Sequence, residues 1–323
     1  MITLIKGDGI GPEISDAVVK ILEASGLKID WNVQKAGTPE CLDSIRQNKV
    51  ALKAPVTTPI GYGFRSLNVQ MRKELDLYAN VRPCKNLPGI KTCFDNVDVV
   101  VVRENTEDLY AGIERIINEN TMESSKIITR AASERICKFA FDYALKNSRH
   151  EVCVVTKANI CKLTDGLFLE SFRKIAAQYL QIVPREILVD NLCLQLVMDP
   201  SRFDVLVMPN MYGDIVSDLT AGLIGGLGVA KGANIGDDCA VFEPVHGSAP
   251  DIAGQNKANP TALLLSAIDM LKYIGEAGHA EKIEKALFKT ISKGILTHDL
   301  GGSATTSAFT DAVIKNLGGN VYL

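Results

Sequence analysis

The chain has 323 residues, of which 46% are hydrophobic and 23% are charged, and its formal net charge is −3. This length is enough for two modest domains with a large core, and the composition is that of an ordinary globular protein. The slightly negative charge argues against a protein that binds nucleic acid or a membrane surface. The longest apolar runs, such as residues 97–102, are far shorter than a membrane span.

The eight cysteines include no pair spaced C-x-x-C. The start of the chain shows no basic stretch followed by an apolar centre and a cleavage site. We therefore expect reduced, mostly buried thiols and a cytoplasmic protein.

The first element is a short apolar strand that runs into the glycine-rich stretch "GDGIGPE". A Rossmann dinucleotide site requires glycines at the first, third and sixth positions of this loop. Here they occupy the first, third and fifth positions, as Gly7, Gly9 and Gly11, and the sixth is Pro12, which has no N–H to offer a phosphate. The stretch therefore predicts a tight turn into a helix, which continues with apolar residues at helical spacing over 14–22.

Four arginines follow between residues 65 and 103, most of them beside a predicted turn or strand end. They are Arg65, Arg72, Arg82 and Arg103. The planar guanidinium fork suits carboxylates, so the cluster favours a polyanionic small molecule as ligand. Solvated surface pairs with neighbouring acids are the alternative.

Short Val- and Ile-rich runs then alternate with helical stretches. The runs at 97–104, 151–157, 186–190 and 203–209 are typical of strands buried on both faces of a parallel sheet. Helices are predicted at Ser133–Leu145 and Thr261–Ile274, and a projecting hairpin is predicted within residues 112–135. This pattern indicates an α/β protein, and since no linker-like tract occurs, two domains would be interwoven.

Three aspartates form a candidate metal site. Asp214 and Asp218 lie four residues apart at the start of a predicted helix, which places both on one face, and Asp190 ends a probable strand. Three carboxylates with a hydroxy-acid substrate would form a hard-oxygen site for Mg²⁺ or Mn²⁺. Stabilisation of the helix dipole by Asp214 and Asp218 is the competing explanation.

A long run of small residues, 242–260, contains His246 and Asp251. Loops of this length inside compact domains are often functional, and small residues let a flat ligand lie against the backbone. Asp251 could accept hydrogen bonds from a ribose. A surface Ω-loop is the alternative.

Taken together, these segments resemble the decarboxylating dehydrogenases that act on isocitrate, isopropylmalate and homoisocitrate. The resemblance extends from "GDGIGPE" to "DLGGSATTSAFTDAV". It implies an isopropylmalate/isocitrate dehydrogenase-like α/β fold, not Rossmann, with two interlocked domains around a mixed sheet. The large domain would comprise residues 1–88 and 241–323 with the cofactor loops. The small domain would comprise 89–240, with a hairpin clasp that swaps across a dimer.

The resemblance also implies the roles of individual residues. Tyr110 and Lys157 would be the acid–base pair, in which Lys157 accepts the C2 hydroxyl proton and Tyr110 protonates the enol carbon. The substrate would contact Ser66, Asn68, Arg72, Arg82 and Arg103. The metal would be held by Asp190, Asp214 and Asp218. NAD would contact Lys53, Thr58, His246, Gly247, Ser248, Ala249, Asp251, Ile252 and Asn259.

The choice of substrate depends on "RSLNVQMR". The isocitrate enzymes carry Ser-x-Asn-x-x-x-Arg here, matched by Ser66, Asn68 and Arg72, whereas isopropylmalate enzymes place leucines in this region. A hydroxyl and an amide facing an isopropyl group would be left unpaired, at a cost of about 1–3 kcal/mol each. The resemblance therefore implies oxidative decarboxylation of isocitrate to 2-oxoglutarate and CO₂, with homoisocitrate, tartrate or 3-isopropylmalate as alternatives.

The resemblance implies a homodimer with shared active sites, in which Lys157 and Asp190 come from the partner subunit, and it leaves a higher or hetero-oligomer open. Asp251 and Ile252 would select NAD⁺, because a carboxylate accepts from both ribose hydroxyls and repels a 2′-phosphate. Some relatives are regulatory subunits that bind ligands without catalysis. This chain retains Tyr110, Lys157 and all three aspartates, which favours an active enzyme.

Overall fold

The computed structural model of the protein describes residues 1–57 and 66–318. The chain divides into two compact units. The first contains Met1–Leu75, Asn86–Cys93 and Ile224–Leu323, and the second contains Asp76–Lys85 and Phe94–Leu223. The chain thus passes repeatedly between the two units.

The strands of the described residues are β1 Ile2–Ile5, β2 Trp31–Gln34, β3 Val50–Lys53, β4 Ala79–Lys85, β5 Asp98–Glu104, β6 Glu114–Asn118, β7 Thr121–Ser124, β8 Glu151–Thr156, β9 Val183–Leu188, β10 Val205–Met208, β11 Lys231–Ile235 and β12 Ala240–Pro244.

The α-helices of the described residues are α1 Gly11–Ala24, α2 Pro39–Asn48, α3 Leu67–Glu74, α4 Arg130–Lys146, α5 Thr164–Ala176, α6 Val189–Met198, α7 Asn210–Leu223, α8 Thr261–Tyr273, α9 Ala277–Ser292 and α10 Thr306–Asn316.

The strands of the first unit have the order β2-β1-β3-β12-β11. The pairs β2-β1, β1-β3 and β3-β12 are parallel, and β12-β11 is antiparallel. Helix α8 packs on β11, β12 and β3, and its apolar residues from Ala262 to Leu265 are buried. Helices α1 and α9 pack against α8 in turn. The core of this unit therefore lies between its strands and α8.

The strands of the second unit have the order β4-β5-β10-β8-β9. The β4-β5 pair is antiparallel and the other three pairs are parallel. The valines 99–102 of β5 are fully buried, because α4 and α7 both pack against this strand. Each such side chain contributes roughly 1.5–3 kcal/mol of burial free energy. The hairpin β6-β7 forms a separate antiparallel pair.

The α/β class with mixed strand directions is confirmed. The bounds of the units differ from the expected ones, which were 1–88 with 241–323 for one domain and 89–240 for the other. The reason is that strand pairing decides which unit a segment joins. β4 at 79–85 pairs with β5 in the second unit, and β11 at 231–235 pairs with β12 in the first. Among the described residues, no helix is both long and apolar enough to cross a bilayer.

Candidate functional site

The glycine-rich turn joins β1 to α1 in the first unit. Gly7 and Gly9 have φ values of +66° and +58°, in the left-handed region that favours glycine. A Cβ on Gly9 would overlap the carbonyl group of Ser248, which accepts a hydrogen bond from the Ile10 N–H at 2.8 Å. A Cβ on Gly7 would overlap the carbonyl group of Pro55. The glycines therefore allow close backbone approach to two other segments, which agrees with a tight turn in place of a Rossmann phosphate site.

A buried charge cluster lies at the ends of β3 and β12 in the first unit. Lys53 Nζ donates to Glu243 Oε2 at 2.6 Å, and their side chains are 3% and 11% exposed. Arg72 donates to Glu243 Oε1 at 3.2 Å, and Asn234 Nδ2 donates to the same oxygen at 2.6 Å. Burial alone would raise the pKa of Glu243, but Lys53 and Arg72 outweigh burial and hold that pKa far below its usual range. Glu243 is thus an anion that holds two cations together.

Helix α3 and the residue before it carry the three residues assigned to substrate choice. Ser66 precedes α3, and Asn68 and Arg72 lie within it. Asn68 Oδ1 and Arg72 Nε are buried and have no hydrogen-bond partner among the described residues. The open Nε–H of Arg72 fits a bound carboxylate, because a buried donor without an acceptor is costly.

The loop after β12 contains most of the residues assigned to NAD. His246 Nδ1 lies 2.9 Å from the Gly247 carbonyl oxygen, and burial lowers the pKa of His246. Its Nε2 atom is buried without a hydrogen-bond partner among residues 1–57 and 66–318. An unpaired ring nitrogen in this loop fits a polar ligand such as a dinucleotide. Thr58, which was assigned to the same ligand, lies outside the described residues.

Further along this loop, the Ser248 hydroxyl lies 2.7 Å from the Thr57 hydroxyl. Ala249 has a φ of +37° and precedes a 3₁₀ turn that contains Asp251 and Ile252. Asp251 is exposed and Ile252 is half-buried. An exposed carboxylate here is accessible to a ribose.

Asn259, at the end of the loop, is used inside the fold. Its Nδ2 donates to Asp299 Oδ2 at 2.9 Å, and its Oδ1 accepts from the Thr261 N–H at 2.9 Å. The structure therefore shows a structural role for Asn259, and its contact with a cofactor stays a prediction.

In the second unit, Tyr110, Asp214 and Arg103 meet. The Tyr110 hydroxyl donates to Asp214 Oδ2 at 2.5 Å, and Arg103 donates to Oδ1 of the same carboxylate. The Arg103 guanidinium also lies 5.0 Å from the centre of the Tyr110 ring. Burial and the Asp214 carboxylate raise the pKa of Tyr110, so its hydroxyl stays protonated near neutral pH. Burial alone would raise the pKa of Asp214, but Arg103 and the Tyr110 hydroxyl hold it below its usual value.

Arg103 is 1% exposed, and α7 shapes the space that it occupies. Its Nε donates to Asn210 Oδ1 at 2.9 Å. Asn210 Nδ2 in turn donates to the Glu107 carbonyl, in the segment that leads to Tyr110. A Cβ on Gly213 would come within 2.6 Å of Arg103 Cβ. Gly213 therefore leaves room for the arginine beside the helix.

Arg82 extends from β4 and is also buried in the second unit. It donates to Asn80 Oδ1 at 2.9 Å, to the Ser217 hydroxyl at 2.7 Å and to Asp218 Oδ1 at 3.3 Å. Asp214 and Asp218 thus contact different arginines. Neither lies in the first turn of α7, so the dipole explanation for this pair does not apply.

Lys157 follows β8, and its Nζ donates to Asp190 Oδ1 at 2.6 Å. The hydrogen bond from Lys157 lowers the pKa of Asp190. Asp190 was predicted at the end of a strand, and this is wrong: β9 ends at Leu188, and Asp190 lies in the first turn of α6. An acidic residue is favoured there by the helix dipole.

The structure does not bring the three aspartates together within one copy. Among the described residues, no group of three or more His, Cys, Asp or Glu side chains could hold a metal ion. Asp214 and Asp218 lie one turn apart on α7, and their carboxylate oxygens suit a hard divalent cation. Asp190 pairs with Lys157 instead, so its supply by a neighbouring copy stays a prediction.

Sequence reasoning missed Glu243 and Asn210. Each is a polar residue beside a buried strand: Glu243 interrupts the apolar run of β12, and Asn210 closely follows β10. Such buried polar residues need partners, which is the signal that could have identified them. Their charged partners, however, are more than 100 residues away in sequence, as the Arg103–Asn210 and Lys53–Glu243 bonds show.

Residues 1–313 match the family model described as isocitrate/isopropylmalate dehydrogenase. NAD isocitrate dehydrogenase catalytic subunit 5 of Arabidopsis thaliana, a mitochondrial protein, is 52% identical over 98% of this chain and 88% of that protein. A mitochondrial NAD isocitrate dehydrogenase regulatory subunit of Dictyostelium discoideum is 51% identical over 98% of this chain and 91% of that protein. The crystal structure of isocitrate dehydrogenase from Methylococcus capsulatus aligns with a TM-score of 0.94 and 49% identity, covering 98% of both chains.

The expectation of a cytoplasmic protein is wrong by this comparison, because the similar NAD isocitrate dehydrogenase subunits are named as mitochondrial. The match to the family model spans nearly the whole chain, and the relatives share about half of its residues. The chain therefore belongs to the isocitrate/isopropylmalate dehydrogenase family.

Proposed function

We propose that this protein catalyses the NAD⁺-dependent oxidative decarboxylation of isocitrate to 2-oxoglutarate and CO₂ with a divalent cation. The observation that carries the proposal is the meeting of Tyr110, Asp214 and Arg103. A protonated phenol, a metal-type carboxylate and a buried guanidinium converge there within one unit. The similarity to NAD isocitrate dehydrogenase subunits supports the same reaction.

Each of these residues has a task that its chemistry allows. Tyr110 donates a proton to carbon after CO₂ has left, and its raised pKa means that the hydroxyl is protonated before this step. Lys157 accepts the proton of the C2 hydroxyl. Arg72, Arg82 and Arg103 hold the substrate carboxylates. When bound, NAD⁺ supplies the hydride acceptor and a divalent cation supplies the positive charge that favours loss of CO₂.

Isocitrate is preferred over isopropylmalate because of the polar residues at α3. Asn68 and Arg72 both contain buried polar atoms without partners among the described residues. An isopropyl group would leave these atoms unpaired, at a cost of about 1–3 kcal/mol each. A third carboxylate on the substrate would satisfy the Arg72 donor. We also assign Ser66, the residue before α3, to this substrate-selecting set.

NAD⁺ is the proposed cofactor and Asp251 is its main selector. The exposed Asp251 carboxylate would accept from the adenosine ribose and repel the phosphate of NADP⁺. The cation site would use Asp214 and Asp218 of one copy. Mg²⁺ and Mn²⁺ both suit these oxygen ligands.

The active form is proposed to be at least a dimer, in which Lys157 and Asp190 complete the site of the neighbouring copy. Exposed apolar side chains on the hairpin and α6 support association: Ile116, Met122, Leu194 and Met198 are each more than half exposed. A hetero-oligomer is the alternative partner arrangement, since similar proteins are named as alpha or regulatory subunits.

The test is a turnover assay of the purified chain alone, with isocitrate, homoisocitrate and 3-isopropylmalate each combined with NAD⁺ and NADP⁺. Isocitrate with NAD⁺ should give the highest kcat/KM, and chelation of divalent cations should abolish it. Turnover that begins only after a second subunit is added would favour a regulatory role. In the double variant Asp251→Lys/Ile252→Tyr, NAD⁺ use should fall and NADP⁺ use should rise, and an unchanged ratio would remove this loop from the cofactor site.

A further inference from the structure

Asp165 is a fully buried carboxylate in the first turn of α5, eight residues after Lys157. One of its oxygens, Oδ2, accepts the Lys157 main-chain N–H at 2.6 Å and the Tyr212 hydroxyl at 3.0 Å. The other oxygen, Oδ1, accepts from Lys126 Nζ at 2.5 Å. The carboxylate thus contacts three elements of the second unit at once.

These bonds fix the backbone of Lys157 from both sides. Its N–H is held by Asp165, and its carbonyl accepts the N–H groups of Ile160 and Cys161 at 2.9 Å each. Its side chain is held separately at the far end, where Nζ contacts Asp190. With the main chain anchored, the direction in which the Lys157 side chain leaves the backbone is fixed.

The charge of Asp165 is compensated within the same cluster. Lys126 supplies the counter-charge and lies 4.4 Å from the centre of the Tyr212 ring. Tyr212 is in the first turn of α7, and Lys126 follows β7 of the hairpin. A surface residue would not require such partners, because a buried carboxylate is tolerated only when it is paired and hydrogen-bonded.

We propose that Asp165 is a positioning residue that sets where the Lys157 side chain leaves the backbone, and that Lys126 and Tyr212 hold the Asp165 carboxylate for this task. The inference depends on the proposed function, in which Lys157 accepts the proton of the C2 hydroxyl. Proton transfer is sensitive to placement, and a displacement of about 1 Å can reduce the rate by roughly 10²-fold.

Two single variants and one double variant test this inference. Asp165→Ala removes the acceptor for the Lys157 N–H. It should lower kcat by about 10–10²-fold and leave KM for isocitrate within about twofold, since the substrate arginines are untouched. Asp165→Asn retains an acceptor oxygen for the Lys157 N–H, so its kcat should fall less than that of Asp165→Ala. The double variant Asp165→Asn/Lys126→Gln removes both charges together, should fold, and should have a kcat above that of Asp165→Ala.

Two further measurements distinguish positioning from general stability. Hydrogen–deuterium exchange at the Lys157 amide should accelerate in Asp165→Ala at temperatures well below its Tm. The deuterium isotope effect with isocitrate labelled at C2 should increase, because the chemical step becomes slower. Glu170→Gln is the matched control, since Glu170 lies on the same helix and pairs only with exposed Arg130 in its described contacts.

The outcomes separate the two proposals. A wild-type chain without turnover on any substrate overturns the proposed function, and unchanged amide exchange then also overturns the positioning of Lys157. An active wild type with unchanged kcat in Asp165→Ala overturns this inference alone. This inference is also overturned if kcat falls, KM rises and Tm falls together in all folded variants, because that result would indicate a purely structural carboxylate.

Discussion

Replacing Glu243 by Gln should destabilise the protein markedly, because the Glu243 carboxylate separates two buried cations. Lys53 Nζ and the Arg72 guanidinium lie 2.6 Å and 3.2 Å from its two oxygens. The amide retains the shape of the side chain but loses its charge. Lys53 and Arg72 would then face each other without an anion.

The size of the effect follows from burial. Removing one partner of a buried ion pair costs about 3–5 kcal/mol. Unfolding entropy of roughly 2.1 cal/mol/K per residue over 323 residues is about 0.7 kcal/mol/K. The variant should therefore unfold about 4–7 °C below the wild type. Glu281→Gln, which removes an exposed partner of Lys285, should leave Tm nearly unchanged.

The pH dependence gives a second check with a definite sign. The pKa of Glu243 is depressed in the folded state, so its stabilisation is present above the unfolded-state pKa near 4.5 and is lost as pH falls through the folded-state pKa. Thermal melts should show a constant difference between wild type and Glu243→Gln from about pH 8 to pH 5.5, and a smaller difference below about pH 4.5. A Tm difference under about 1 °C, or one that shrinks already above pH 6, would refute this reasoning.

Three further predictions concern the proposed active site. Tyr110→Phe removes the donor to Asp214 and should reduce kcat by about 10²–10⁴-fold with little change in isocitrate binding measured by calorimetry; near-normal kcat would contradict the acid role. Gly213→Ala places a methyl group against Arg103 and should cost about 1–3 kcal/mol in denaturant melts and raise KM for isocitrate; an unchanged KM would show that Arg103 adjusts freely. Ser66→Asp should nearly abolish isocitrate use in steady-state assays, and unchanged kinetics would remove Ser66 from the site.

Local pattern was enough to predict the central strands of the second unit. The valine-rich runs of β5, β8 and β10 are buried throughout most of their length, as continuous apolar runs imply. The same interpretation was wrong for β9, in which Ile187 is the one buried residue and half of the strand is exposed. That strand pairs only with β8 among the described pairs and so lies at an edge of the sheet, where Val183 is exposed although Ile187 is buried. Position within a sheet is a tertiary property that a short run does not encode.

For the charged residues, too, local spacing was predictable from the sequence, whereas partners distant in sequence were not. The spacing of Asp214 and Asp218 predicted that both lie on one helix face. Their compensation by Arg103 and Arg82 joins residues more than 100 positions apart in sequence. The role of Glu243 depends likewise on its distance from Lys53 in space, which no local window contains.

The spacing of the glycines in the first turn was enough to exclude a Rossmann site, but it did not show why glycine is needed there. Backbone carbonyls, not phosphates, occupy the space beside its glycines: Pro55 faces Gly7 and Ser248 faces Gly9. The contact with Ser248 joins the start of the chain to the loop that contains His246, about 240 residues later in sequence. A side chain at Gly9 would overlap the Ser248 carbonyl and push these two segments apart, with or without a ligand. The turn is therefore a structural requirement of the proposed cofactor loop, because its contact with Ser248 holds the backbone of that loop in place.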